Sequence, residues 1–123
     1  MAGSAMVFTE TTHTSARKIV AAWTADDATG AVSGDTSFSY DGACLGFTTI
    51  PGTGGDAPDD NYDVAITDAD GHDVLLGAGA NRDTANTEHV AGTSLACAAG
   101  SVLTFAITNA GNANKGTVVL WVR

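Results

Sequence analysis

"NYDVAITDADGHDVLLGAGANRD", residues Asn61 to Asp83, decides how the chain is read. Its first part alternates: Tyr62, Val64 and Ile66 fall on one side of an extended chain, and Asp63, Ala65 and Thr67 on the other. A period of two is the signature of a half-buried strand. "DADG" (Asp68 to Gly71) then supplies turn chemistry, and "HDVLL" (His72 to Leu76) reads as a short return strand. The segment therefore predicts a β-hairpin closed by a type I turn, with Gly71 in the left-handed conformation. The same residues crowd Asp63, Asp68, Asp70 and Asp73 around one glycine, which raises a calcium loop or a catalytic carboxylate cluster as rivals.

The calcium register fails. An EF-hand loop needs oxygen ligands at positions 1, 3 and 5, Gly at 6 and a bidentate Glu at 12. Counted from Asp68, the third ligand is His72, the glycine comes at position 4, and position 12 is Gly79. A catalytic acid needs surroundings that raise its pKa, and nothing in the spacing buries one carboxylate against another. No metal is expected; Asp68, Asp70 and Asp73 are the carboxylates nearest to such a reading. Asp56, Asp59, Asp60, Asp63, Asp68, Asp70 and Asp73 make up half of the 14 acidic residues. They read as an acidic face, solvated or opposed to a basic partner.

Working outward, the same alternation recurs. Met6, Phe8 and Glu10 share one side of "AMVFTETT" (Ala5 to Thr12). Ile19, Ala21 and Trp23 share one side of "RKIVAAWTA" (Arg17 to Ala25), and "DDATG" (Asp26 to Gly30) turns. "TSFSY" (Thr36 to Tyr40) places Phe38 and Tyr40 together, "DG" (Asp41, Gly42) signals a hairpin, and "ACLGFTTI" (Ala43 to Ile50) puts Leu45 and Phe47 inward with Cys44 opposite. Pro51 to Asn61 is a loop. Gly77 to Leu95 loses all period, with a short helical turn expected over Thr84 to His89. Leu103, Phe105 and Ile107 share one side of "SVLTFAIT". "NAGNANKG" (Asn109 to Gly116) reads as a hairpin loop rich in residues that tolerate positive φ. "TVVLWVR" (Thr117 to Arg123) is apolar on both faces, which suggests a central strand or one packed on a neighbouring subunit. About eight short strands, spaced by roughly ten residues, predict an all-β fold: a single-domain antiparallel β-sandwich or small jelly-roll-like barrel with long loops, over residues 1–123. Residues 1–12 form a candidate extended N-terminal arm.

Length and charge narrow the function. With 123 residues the chain fits one domain able to bury a core. Its net charge is −9, and Arg17, Lys18, Arg82, Lys115 and Arg123 are its only basic residues. Direct nucleic-acid binding requires clustered Lys and Arg to neutralise phosphates, so neither nucleic acid nor an anionic membrane is an expected partner. No secretory signal or membrane span is read. Cys44 and Cys97 match no metal spacing and are expected as buried thiols rather than a cross-strand disulfide. His13, His72 and His89 lack zinc spacing. No nucleophile elbow or P-loop occurs, and "GTGG" (Gly52 to Gly55) and "GAGA" (Gly77 to Ala80) read as close-packed loops. No catalytic residue, cofactor or enzymatic activity is expected.

Three segments carry a resemblance: "AAWTADDATGAVSG", "IPGTGGDAPDDNYDVAITDADGHDVLLGAGANRDTANTE" and "LTFAITNAGNANKGTVVLWVR". Across Ile19 to Arg123 the chain resembles a group of small tailed-bacteriophage virion structural proteins. The resemblance implies a non-enzymatic capsid decoration (cement) protein on the capsid surface of the virion, assembled in the host bacterial cytoplasm. Its implied partner is the major capsid protein and its implied state a homotrimer; a tail or head–tail component is the nearest rival. The interface candidates are Arg82, Trp121 and Arg123. A β-sandwich module binding a glycan or Ca²⁺ is the alternative from another class.

Overall fold

A computed structural model describes residues 5–14, 16–26, 29–84, 86–92, 95, 97–111 and 113–123, with the side chains of 97–100 outside the description. The described chain forms nine strands: β1 (Ala5–Thr12), β2 (Arg17–Thr24), β3 (Val32–Asp35), β4 (Tyr40–Pro51), β5 (Asp63–Thr67), β6 (Glu88–Ala91), β7 (Cys97–Ser101), β8 (Thr104–Thr108) and β9 (Lys115–Val122). They build two antiparallel sheets. The larger runs β1-β2-β9-β4-β6, with β7 also on β4, and the smaller runs β3-β8-β5. The result is an all-β sandwich, and the sheets do not close into the barrel allowed as the other form of the prediction.

The period-two residues meet between the sheets. Ile19, Ala21, Trp23, Phe47, Val118, Leu120 and Val122 face inward from the larger sheet, and Val32, Val64, Ile66, Phe105 and Ile107 from the smaller. Phe8 meets Phe105 edge to face at 5.2 Å between ring centres, and Trp23 meets Tyr62 at 5.7 Å. Burying such rings is the main drive for the layers to close. The final strand is central, flanked by β2 and β4, as its two apolar faces suggest. Residues 5–12 of the candidate arm are an edge strand paired along their length with β2.

Several local expectations are corrected. Thr36 to Ser39 form a bend rather than a strand, and Tyr40 opens β4. Glu10 reaches across from β1, and its carboxylate accepts hydrogen bonds from Ser37 N (2.9 Å), Phe38 N (3.2 Å) and the Tyr40 hydroxyl (2.7 Å). This satisfies the bend without a ladder and leaves Phe38 63 % exposed. Asp41 and Gly42 make no hairpin, because β4 runs straight through them. Gly42 is needed there because a Cβ would lie 1.9 Å from the Arg123 carbonyl oxygen, where Ala43 and Arg123 exchange backbone hydrogen bonds. Leu45 does not face inward. A bulge between Cys44 and Gly46 inserts one residue and shifts the phase, so Cys44 and Phe47 are buried and Leu45 is exposed.

"HDVLL" makes only one bridge, Thr67 to Asp73, before the chain turns away. The helical turn over Thr84 to His89 is absent among the described residues, and Glu88 and His89 belong to β6. Asn109 to Gly116 is no hairpin loop, since β8 and β9 lie in different sheets. It does use positive φ, at Asn109, Gly111 and Ala113. Ala43 stands opposite Cys97 in the β4–β7 register, and Cys44 is buried.

Candidate functional site

The acidic segment is built as a clasp. Gly71 N donates to the Asp68 carbonyl at 3.0 Å and Gly71 has φ 78°, the expected turn. Asp68 is only 7 % exposed, and its Oδ1 accepts from Asp70 N (3.0 Å) and His72 N (3.1 Å). Asp73 Oδ1 accepts from Leu75 N (3.0 Å) and Ile66 N (3.4 Å), while its Oδ2 accepts from Gly77 N (3.0 Å). Asp63 accepts from Asn81 N (2.9 Å) and from the Asn109 side-chain amide (2.6 Å). Asx-type bonding of this kind competes with strand ladders. That is why the return strand stops at Asp73, and why Leu76 follows at φ 50°, 60 % exposed. Asp70 stands exposed at the apex. Among the described residues no group of three or more His, Cys, Asp or Glu is placed to hold a metal ion. The carboxylates that suggested calcium shape the loop backbone.

The three interface candidates separate. Arg82 is engaged within the chain: it exchanges backbone bonds with Asn61 and Tyr62, its guanidinium donates to the Ala80 carbonyl, and Nη1 lies 3.6 Å from Glu88 Oε1. Trp121 and Arg123 come together on the larger sheet, at outward positions of β9 and its end. Lys18 Nζ sits 5.0 Å from the Trp121 ring centre, and the His13 ring lies 6.2 Å away. A cation over an indole face is attractive, so Lys18 and Trp121 restrain one another on this surface. The structure thus brings two of the three into one surface and leaves the third in the loop clasp.

Sequence reasoning missed the latch around Glu10. Burial pushes its carboxyl up, but hydrogen bonds from Ser37, Tyr40 and Phe38 outweigh this and hold it below the ordinary glutamate value. Burial and then the Glu10 carboxylate push the Tyr40 hydroxyl up. Arg17 stands 5.7 Å from the Tyr40 ring centre and 3.9 Å from Asp41 Oδ1. The signal was an acid at an inward position, after Met6 and Phe8. Buried Tyr62 is likewise shifted upward by burial. Hollows mark the surface at three places. One lies beside Asp26 and β8; two flank Arg17, one lined by Glu10, Phe38 and Tyr40, the other by Thr12, His13, Thr14 and Arg123.

No protein-family profile, curated protein or solved structure matches the chain. No helix among the described residues is long and apolar enough to cross a membrane.

Proposed function

We propose that the chain is a non-enzymatic bacteriophage virion structural protein: a decoration (cement) protein that docks as a homotrimer on the major capsid protein lattice. The observation that carries this reading is the acidic loop clasp. Asp63, Asp68 and Asp73 direct their carboxylates into the loop backbone, which pre-organises a long surface segment for contact. A pre-ordered loop loses little entropy on docking. The net charge of −9 suits a basic lattice surface, and the rigid sandwich suits a part whose work is mechanical.

Co-sedimentation of the purified chain with empty heads tests this. The chain pellets with heads, and binding weakens as salt rises from about 0.05 M to about 0.5 M, because screening shortens the reach of charge. A chain that stays in the supernatant at every salt concentration contradicts the reading. Calorimetry with Ca²⁺ separates it from a metal-dependent binding module: tight binding abolished by joint Asp68→Ala and Asp70→Ala substitution would favour the latter.

A further inference from the structure

The outer face of the larger sheet differs from the rest of the molecule. The strand registers set its residues in rows: Val7, Ala22, Thr117 and Ile50; then Thr9, Val20, Val119, Thr48 and His89; then Thr11, Lys18, Trp121, Gly46 and Ala91. In a chain with 14 acidic residues, these rows hold none. Both glutamates of this sheet, Glu10 and Glu88, take inward positions, Glu10 opposite Ile19 and Glu88 opposite Thr49; its exposed carboxylate, Asp41 near the start of β4, lies outside these rows, 3.9 Å from Arg17. The face does carry cations. Lys18 lies in it, Lys115 ends it beside Thr24, and Arg123 ends β9 opposite Ala43. These are three of the five basic residues of the chain. At the same corner a hollow is lined by His13, Arg17 and Arg123. Apolar residues are spread across the face: Val7 (65 % exposed) and Ile50 (39 %) stand at the two ends of the first row, Val119 is buried in the second, and Trp121 is half-buried in the third.

An apolar face with a half-buried Trp and cations at its rim has the anatomy of a protein contact. Five strands at about 4.8 Å spacing and eight residues at about 3.3 Å rise span roughly 500–600 Å² in projection, which with the rim approaches the roughly 800 Å² per partner of a standard interface. The cationic rim calls for an acidic occupant, and the chain itself supplies one: the Asp56–Asp73 segment, where Asp56, Asp59, Asp60 and Asp70 are exposed. One molecule therefore presents both halves of a contact. A face-to-face pair would instead set Lys18, Lys115 and Arg123 against their own copies.

We infer that the outer face of the larger sheet is the docking surface for the acidic loop surface of a second copy of the chain, in a head-to-tail contact. Such a contact generates a ring when its rotation closes. This deepens the assembly half of the reading above, and the contact itself needs no capsid.

Sedimentation of the full chain tests it. Association appears at low salt and weakens at least tenfold toward about 0.5 M salt. Ala22→Glu, at an exposed position of β2 between Val7 and Thr117, and Lys18→Glu each weaken it at least tenfold with circular dichroism unchanged. Ser33→Glu, which adds the same charge to the smaller sheet, leaves it intact. A chain that is monomeric at every salt concentration overturns the inference, whatever its binding to heads. So does association that strengthens with salt, the mark of like faces meeting, or association indifferent to Ala22→Glu. A monomer whose face captures a polyglutamate peptide, lost on Lys18→Glu, overturns the second copy in favour of a foreign acidic partner.

Discussion

The two sheets turn very different faces to solvent. The smaller sheet shows short side chains, Ser33, Ala65 and Ala106 in one row and Asp35, Thr67 and Thr104 in the next, with Thr104 donating to Asp35 at 2.7 Å. The larger sheet shows Val7, Val20, Ile50 and Trp121, around a buried Val119, with cations at the rim. Both obey the same alternation, so secondary structure explains neither. A strand that only had to cover a core would show short polar residues, as the smaller sheet does. Bulky apolar residues on a solvent face are the informative deviation, and here they coincide with three outward rows that hold no carboxylate.

The sharpest way to break this comparison uses neighbours on β9 that point in opposite directions. Leu120→Ala removes a fully buried side chain and costs about 3–4 kcal/mol in denaturant titration. Trp121→Ala costs less than half of that in a dilute monomer, and loses association instead. Equal costs would make the outer face a second core rather than a contact.

A smaller effect tests the acidic loop that the face would receive. Asp68→Ala leaves Asp70 N and His72 N without their acceptor and costs about 1–2 kcal/mol. Urea midpoints give the number, and a change within error would mean that the carboxylate does not hold the loop.

Next comes the edge of the larger sheet. Glu10 has its folded pKa below the ordinary glutamate value of 4.5, so its contribution is fully present above that value and is lost as pH falls through the folded pKa. Glu10→Gln therefore lowers stability by about 1 kcal/mol at pH 7, and the gap to the natural chain closes on acidification below the ordinary value. A gap that widens in acid would reverse the sign.

The smallest effect is at the junction of the sheets. The Tyr62 hydroxyl is buried and makes no hydrogen bond of ordinary geometry. Tyr62→Phe should change stability by no more than about 0.5 kcal/mol, or raise it slightly. A loss beyond about 1 kcal/mol would show that the hydroxyl has a stabilising partner.

Much of the fold was legible because the signal is local. Tyr62, Val64 and Ile66, or Leu103, Phe105 and Ile107, announce a buried face by spacing alone, and the doubly apolar last strand announced its central place. What failed depended on contacts distant in sequence. Glu10 holds the 36–39 bend from 27 residues away, and the carbonyl of Arg123 explains Gly42. The bulge at Leu45 shifted a phase that no local pattern marks. The candidate surface was half legible. Trp121 and Arg123 were flagged, but their union with Lys18 and Lys115 required the register of β2 on β9. Arg82 was drawn off by Glu88 and the Ala80 carbonyl.

Tryptophan quenching tests the contact face most directly. Trp23 is 2 % exposed and stays out of reach of acrylamide, so quenching reports on Trp121. At low salt, Trp121 quenching should fall at least about twofold as protein concentration rises through the association range, and recover toward about 0.5 M salt. Quenching that stays at its dilute value while sedimentation shows association would place the contact elsewhere and contradict the assignment of this face.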